Sequence, residues 1–302
     1  MIRTLHIQNY RCLRDVTLEL EPLTVLVGGN ASGKSSVISA MLRQFAPEDA
    51  WRRDRTRHIT VALLNADGSG ITFDQSRGSS GNAPWPTIQS LQFELGRLRA
   101  HNTLQTAHQL SHDGLGLANV FATLPRRTRD EVSRRFCTSL PNYADIDSRP
   151  SSPGNHRIVF QDRWDANVWY EPEQVSDGTM LMLAFELLPY QTPAPDLIAI
   201  EEPERGLHPF LMGELITALR RLAQPLDGRP PIQVLLATHS ADLLEFIDPK
   251  EIRFLHRNRD TGATEVKTAP VANPNWPALL REYDDSLGNL WKSGGLGGVP
   301  GG

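Results

Sequence analysis

The chain has 302 residues, 39% of them apolar and 22% charged, with a net charge of −4. That is enough apolar material for one large domain, or for a core domain with an inserted lobe, and it excludes wholesale disorder. So mild a charge argues neither for a dedicated nucleic-acid coat nor for an acidic solvating tail. Cys12 and Cys137 stand far apart with no CxxC or Cys/His spacing. Neither a zinc site nor a disulfide framework is expected, and reduced thiols suit a cytosolic protein. No apolar run approaches the ~20 residues of a membrane helix, and residues 1–6 lack the apolar stretch of a secretion signal. The expectation is a soluble, cytoplasmic chain.

From residue 2 to 27 short runs alternate apolar and polar side chains and predict strands. The last of them, Leu23, Thr24, Val25, Leu26 and Val27, reads as buried on both faces. A glycine-rich loop leads into a helix predicted over 34–45, with Val37, Ile38, Met41 and Leu42 on one side. Residues 59–64 and 70–74 predict a hairpin around Asp67 and Gly68. From 75 to 155 the chain is polar and punctuated. Helical pieces are predicted near 86–110 and 128–138, and Gly/Ser/Pro/Asn clusters at 76–86 and 148–155 mark loops. Strands come next at 157–161 and 166–170, then a helix from 178 to 188. Buried strands are predicted at 197–201 and 233–237, helices over 209–223 and 241–247, and a last hairpin at 252–255 and 264–268. This alternation predicts an α/β fold: a mostly parallel sheet flanked by helices, with an antiparallel edge. The expected division is a core of 1–75 and 156–282, a mainly helical inserted lobe of 76–155, and a Gly-rich flexible tail of 283–302.

Gly28, Gly29, Asn30, Ala31, Ser32, Gly33, Lys34 and Ser35 satisfy GxxxxGK[ST], directly after a buried strand and directly before a helix. Glycines let backbone N–H groups turn inward into an anion nest, and the helix N-terminus adds partial positive charge. Lys34 is expected on the β- and γ-phosphates and the Ser35 hydroxyl on Mg²⁺, with Ser36 completing the nucleotide-binding run. ATP and Mg²⁺ are the cofactors this implies. Glu201 and Glu202 stand where the strand 197–201 ends, and in an open α/β sheet ligands gather at the carboxyl ends of strands. Glu201 is expected to orient Mg²⁺, directly or through water, and Glu202 to polarise the attacking water. His239 falls on the same edge after the strand 233–237, where an imidazole can hydrogen-bond a γ-phosphate.

Val175, Ser176, Asp177, Gly178 and Thr179 precede an apolar helix, ahead of Glu201. The order of phosphate loop, Ser-x-Gly signature, acidic strand and histidine resembles ABC-type ATPases. The detail is similar to the SMC/RecF-like branch, especially stand-alone defence-associated AAA ATPases and the ATPase part of OLD-family nucleases. Three further stretches carry the resemblance: 7–13 (IQNYRCL), 201–209 (EEPERGLHP) and 238–240 (THS). It implies an ABC-ATPase head of the P-loop NTPase fold. It also implies a head-to-tail dimer on ATP binding, with nucleotide between the phosphate loop of one copy and Ser176 and Gly178 of the other. As a helix start, Ser-Asp-Gly is a second anion-binding end and a helix cap as well. Arg11, by the same resemblance, lies near the nucleotide.

The pattern also departs from the family. Asp177 and Thr179 stand where transporter ATPases carry Gly and Gln, Glu201 stands where Asp is usual, and both Gln75 and Gln92 remain candidates for the Q-loop. The insert lacks sustained heptads, so long coiled-coil arms are not expected. The stretch after Glu251 is too short for a Toprim nuclease domain, so the chain itself is not expected to cut DNA.

Arginines cluster at Arg52, Arg53, Arg55 and Arg57 and at Arg126, Arg127, Arg129, Arg134 and Arg135. They read either as wet helix faces or as DNA contacts. The segment around Trp291, with Gly294, Gly295, Gly297 and Gly298 after it, reads as a spacer or as a docking segment for a partner. Such a partner is expected to be a separately encoded effector, by family analogy a Toprim-like nuclease. The leading expectation is an ATP-hydrolysing switch whose dimer state controls that partner, in phage defence or DNA maintenance. The alternatives are a transporter's nucleotide-binding subunit and a non-hydrolysing nucleotide-gated scaffold, which Glu202 and His239 both disfavour.

Overall fold

The computed structural model describes residues 1–53, 58–226 and 228–296. In chain order the first strands are β1 (Ile2–Tyr10), β2 (Leu13–Glu19), β3 (Leu23–Val27), β4 (Thr60–Asn65), β5 (Gly70–Asp74), β6 (Gly78–Gly81) and β7 (Ile88–Leu91). They continue as β8 (Asn102–Thr103), β9 (Tyr143–Ser152), β10 (Asn155–Asp162), β11 (Trp169–Tyr170), β12 (Leu197–Glu201), β13 (Gln233–Thr238), β14 (Ile252–Arg257) and β15 (Thr264–Thr268). The α-helices are α1 (Lys34–Met41), α2 (Leu95–Leu98), α3 (Leu117–Thr123), α4 (Arg126–Ser139), α5 (Asp177–Leu187), α6 (Met212–Leu222), α7 (Ala241–Leu244), α8 (Trp276–Arg281) and α9 (Leu287–Lys292). None of them is long and apolar enough to cross a membrane.

Contacts divide the chain into two compact units: Met1–Ser90 with Asp196–Pro203 and Ile232–Gly302, and Leu91–Pro195 with Glu204–Pro231. The expected boundaries at 75/76 and 155/156 are not those of the units. The signature helix α5 and the helix α6 both fall in the second unit.

The first unit holds two sheets. One has six strands in the order β15-β14-β3-β13-β12-β7. Its central strands β14, β3, β13 and β12 run parallel, and β15 is an antiparallel edge. This is the expected mostly parallel sheet. Every residue of β3 and β13 is buried because both sheet faces are covered, as their unbroken apolar runs require. The other sheet has five antiparallel strands in the order β2-β1-β4-β5-β6. Val37, Ile38 and Met41 of α1 share one core with Leu5 and Ile7 of β1 and with Leu26 and Leu235. Gln233 is buried and ties the start of β13 to β1: its amide donates to Ile2 O and its carbonyl oxygen accepts from Ile2 N.

In the second unit β10 pairs with β9, β8 and β11, and Phe136 of α4 packs on Tyr143 and Phe160 with ring centroids 5.7 and 5.6 Å away. Two expectations are corrected here. Residues 86–110 are not a helical piece but β7, the single turn α2 and β8; Ile88–Leu91 instead adds an edge to the six-stranded sheet. The loop expected at 148–155 is the end of β9 and the start of β10. Ile146 is the one buried residue of β9, so the strand has no apolar alternation to betray it. The lobe at 76–155 is therefore mixed rather than mainly helical.

A third correction concerns part of 283–302: Leu287, Leu290 and Trp291 form an i, i+3, i+4 apolar face, and Leu287–Lys292 fold into α9, which buries all three. Gly297 and Gly298 lie outside the described residues.

Inside the second unit Glu186 is 1% exposed and paired with Arg221. Burial raises the Glu186 carboxyl above the usual range, and Arg221 works against that rise. Arg221→Met should destabilise the fold by about 3 kcal/mol in urea melts, because it strands a buried carboxylate. The loss should deepen as pH rises, since the fold then favours the protonated acid and its stability falls above the ordinary carboxylate pKa.

Candidate functional site

Three neighbouring strands end together. Val27 of β3 is level with Thr238 of β13, and Ala237 of β13 is level with Glu201 of β12. The phosphate loop follows Val27, His239 follows Thr238, and Glu202 follows Glu201. The sheet order alone thus brings three sequence motifs to one edge. Ser35 donates its hydroxyl hydrogen bond to a Glu201 carboxylate oxygen, although 166 positions separate them. His239 Nδ1 stands 3.2 Å from Glu202 Oε1. Glu202 holds a left-handed backbone at φ 48° while its N–H donates to Ala237 O at 2.8 Å. A non-glycine residue keeps such a conformation only where its surroundings over-determine it, and these cluster at functional sites.

The loop itself is tightly built. A Cβ on Gly28 would lie 2.4 Å from the Leu255 carbonyl oxygen, so only glycine fits there, and Gly33 opens α1 at φ +112°. The Lys34 ammonium donates to the carbonyls of Gly28 at 2.7 Å and Gly29 at 3.0 Å. A pocket of about 350 Å³ runs along the loop, lined by Ala31 through Ser36 with Arg11, Cys12 and Arg257. Ser32 is 4% exposed and, among the described residues, its hydroxyl has no hydrogen-bond partner. A buried orphan hydroxyl beside a lysine fits a phosphate oxygen. The adjoining Ser35 and Glu201 oxygens are the hard donors that Mg²⁺ prefers.

Arg11, expected near the nucleotide, does line this pocket. Its Nε donates to Asp49 Oδ1 at 2.9 Å and its guanidinium lies 5.0 Å from the Tyr10 ring centroid. Burial disfavours its charge, but the Asp49 hydrogen bond together with the charges of Asp49, Tyr10 and Cys12 leaves the pKa raised. Sequence reasoning missed Arg257, which ends β14 and donates to Ala31 O at 3.3 Å. It also missed Thr264 of β15, whose hydroxyl donates to Ser32 O at 2.9 Å. Neither residue belongs to a spaced motif; the pairing of β14 with β3 and of β15 with β14 carries them to the loop.

In the second unit Ser176 caps α5, accepting from Thr179 N at 3.1 Å. Asp177 Oδ1 accepts from Arg99 at 2.6 Å. Gly178 leaves room for packing, since a Cβ would come within 3.1 Å of Leu211 Cδ1. The cap reading of Ser-Asp-Gly is what the described contacts contain. Gln75 lies in the first unit and Gln92 in the second, and both are exposed. On α4, Arg126, Arg127 and Arg134 are exposed, whereas Arg135 pairs with Glu131. Arg52 donates to Thr261 O at 3.0 Å, and Arg55 and Arg57 lie outside the described residues.

Residues 46–245 match the protein family described as "AAA domain, putative AbiEii toxin, Type IV TA system". The chain belongs to this AAA-domain family. Residues 1–72 match a second family, described as an AAA ATPase domain. The OLD nuclease of Thermus scotoductus is 36% identical to the AAA chain over 74 residues, a stretch covering 21% of the chain and 14% of the nuclease. The chain therefore matches only a small part of that relative's length. Among solved structures, an SMC head bound to the C-terminal winged-helix domain of ScpA has a TM-score of 0.58 at 14% identity, covering 90% of this chain and 99% of that one. The SMC head domain of Thermotoga maritima has a TM-score of 0.53 at 13% identity, with 88% and 98% covered. An SMC head with an extended coiled coil, bound to the C-terminal domain of ScpA derived from Pyrococcus furiosus, has a TM-score of 0.57 at 11% identity, with 93% and 98% covered. The fold is that of an SMC-type P-loop ATPase head.

Proposed function

We propose that this AAA-family chain binds ATP with Mg²⁺ at the phosphate loop, hydrolyses it, and uses the bound triphosphate to pair two copies head to tail. The observation that carries the reading is the Ser35–Glu201 hydrogen bond beside the Glu202–His239 contact, on one edge of three parallel strands. Lys34 moves from the loop carbonyls onto the β- and γ-phosphates, and backbone N–H groups of 29–34 hold the remaining oxygens. Ser32 supplies a further donor. When bound by Ser35 and Glu201, Mg²⁺ neutralises charge on the phosphate oxygens. Glu202 orients and deprotonates the attacking water, and His239 stands against Glu202 where it donates to the γ-phosphate.

Ser176 and the start of α5 in one copy cap the γ-phosphate held by the other, and hydrolysis then releases the pair. The likeness to SMC heads supports the paired state. The ScpA-bound heads and the OLD nuclease relative support control of a separate effector, a nuclease in the most direct reading, with a role in phage defence or DNA maintenance. Exposed arginines of α4 are the surface for any DNA contact.

The pairing is tested by Ser176→Arg, measured by light scattering with ATP. Parental ATP affinity with the dimer lost is the expected result. A dimer of parental strength would remove Ser176 from the interface.

A further inference from the structure

The helix that follows His239 is too short to hold itself. α7 spans only Ala241–Leu244, and an isolated turn is unstable because nucleation fixes several dihedrals for one hydrogen bond. The segment 286–292 supports it. Glu245 Oε1 accepts from the Ser286 hydroxyl at 2.6 Å and from Gly288 N–H at 2.9 Å. Gly288 lets the two backbones touch: a Cβ there would lie 2.5 Å from the Ala241 carbonyl oxygen and 2.7 Å from Glu245 Oε1. Leu287, Leu290 and Trp291 are buried in α9, and Lys292 Nζ is 3.8 Å from Asp242 Oδ1.

The other end of α7 leads directly into the site. The Ser240 side chain accepts from Leu243 N–H at 3.3 Å, and Ser240 N–H donates to Thr238 Oγ1 at 2.9 Å. His239 sits between these two anchored residues, 3.2 Å from Glu202.

We infer that 286–292 is a latch on the hydrolytic edge, with Glu245 and Gly288 as positioning residues that act through α7 to hold His239 against Glu202. Seated, the latch keeps the site competent for hydrolysis; lifted from α7 by a partner, it leaves ATP bound and turnover slow. This rests on the ATPase reading above. A two-state element that both ends bias is what such coupling requires, and α7, capped by Ser240 at one end and bound to the 286–292 segment through Glu245 at the other, is that element.

The test compares Glu245→Ala, Glu245→Gln and Gly288→Val in the full chain. It measures steady-state ATP hydrolysis and amide hydrogen exchange over 238–245. Glu245→Ala and Gly288→Val should speed exchange there and lower kcat about tenfold, with KM for ATP within about twofold. Glu245→Gln keeps an acceptor oxygen and should recover most of the loss, which rescue a general folding defect would not show. Should Gly288→Val fail to fold, the alanine–glutamine difference at Glu245 still decides. Parental kcat despite faster exchange, or unchanged exchange, overturns the latch. A parent chain without turnover defeats the hydrolysis reading instead. The latch then stands only if ATP slows exchange over 238–245 in the parent and not in Glu245→Ala, and falls otherwise.

Discussion

Replacing Lys34 by alanine should weaken ATP binding at least ~100-fold, since charge-assisted hydrogen bonds to phosphate are each worth about 1.5–3 kcal/mol. The lysine also has a structural role beside the proposed one. Its ammonium ties the Gly28 and Gly29 carbonyls together, at 2.7 and 3.0 Å, and so shapes the loop before any phosphate arrives. Alanine removes both the charge and the tie. Calorimetric titration with ATP and Mg²⁺ measures the first effect and thermal melting the second. Lys34→Arg separates them, because a guanidinium retains charge but presents a wider, planar fork to a nest shaped for a compact ammonium. Affinity unchanged in Lys34→Ala would remove the phosphate-loop assignment.

Glu202→Gln should leave ATP binding near the parental level and cut turnover by about 10²–10⁴-fold, the usual contribution of a positioned general base. The backbone at Glu202 is left-handed at φ 48°, and glutamine tolerates it no worse than glutamate, so the fold should survive. An amide can hold the contact with His239 but cannot take a proton from water. The variant should therefore accumulate in the ATP-bound, paired state. Single-turnover phosphate release together with size analysis reads both consequences. Normal turnover would mean that the base lies elsewhere.

Much of the site was legible beforehand because its parts are local. A glycine-rich loop between a buried strand and a helix, or two carboxylates at a strand end, constrains chemistry within a few residues. Arg257, Asp49 and Thr264 were not legible. Arg257 and Thr264 reach the loop through strand pairing and long-range hydrogen bonds, Asp49 reaches Arg11 beside it, and none repeats at a readable spacing. The same holds for β9, a polar strand specified by its partner β10 rather than by its own pattern.

By itself, then, the sequence determined a P-loop ATPase head with a mostly parallel sheet, an acidic strand end and a histidine on the same edge, because short motifs encode backbone geometry directly. Only the tertiary structure decided that β13 lies between β3 and β12 and so sets Glu201 on Ser35. It also decided that α5 belongs to the second unit and that the 287–292 helix packs on α7. Those outcomes depend on which surfaces bury one another, a property of the whole chain and not of any short window along it.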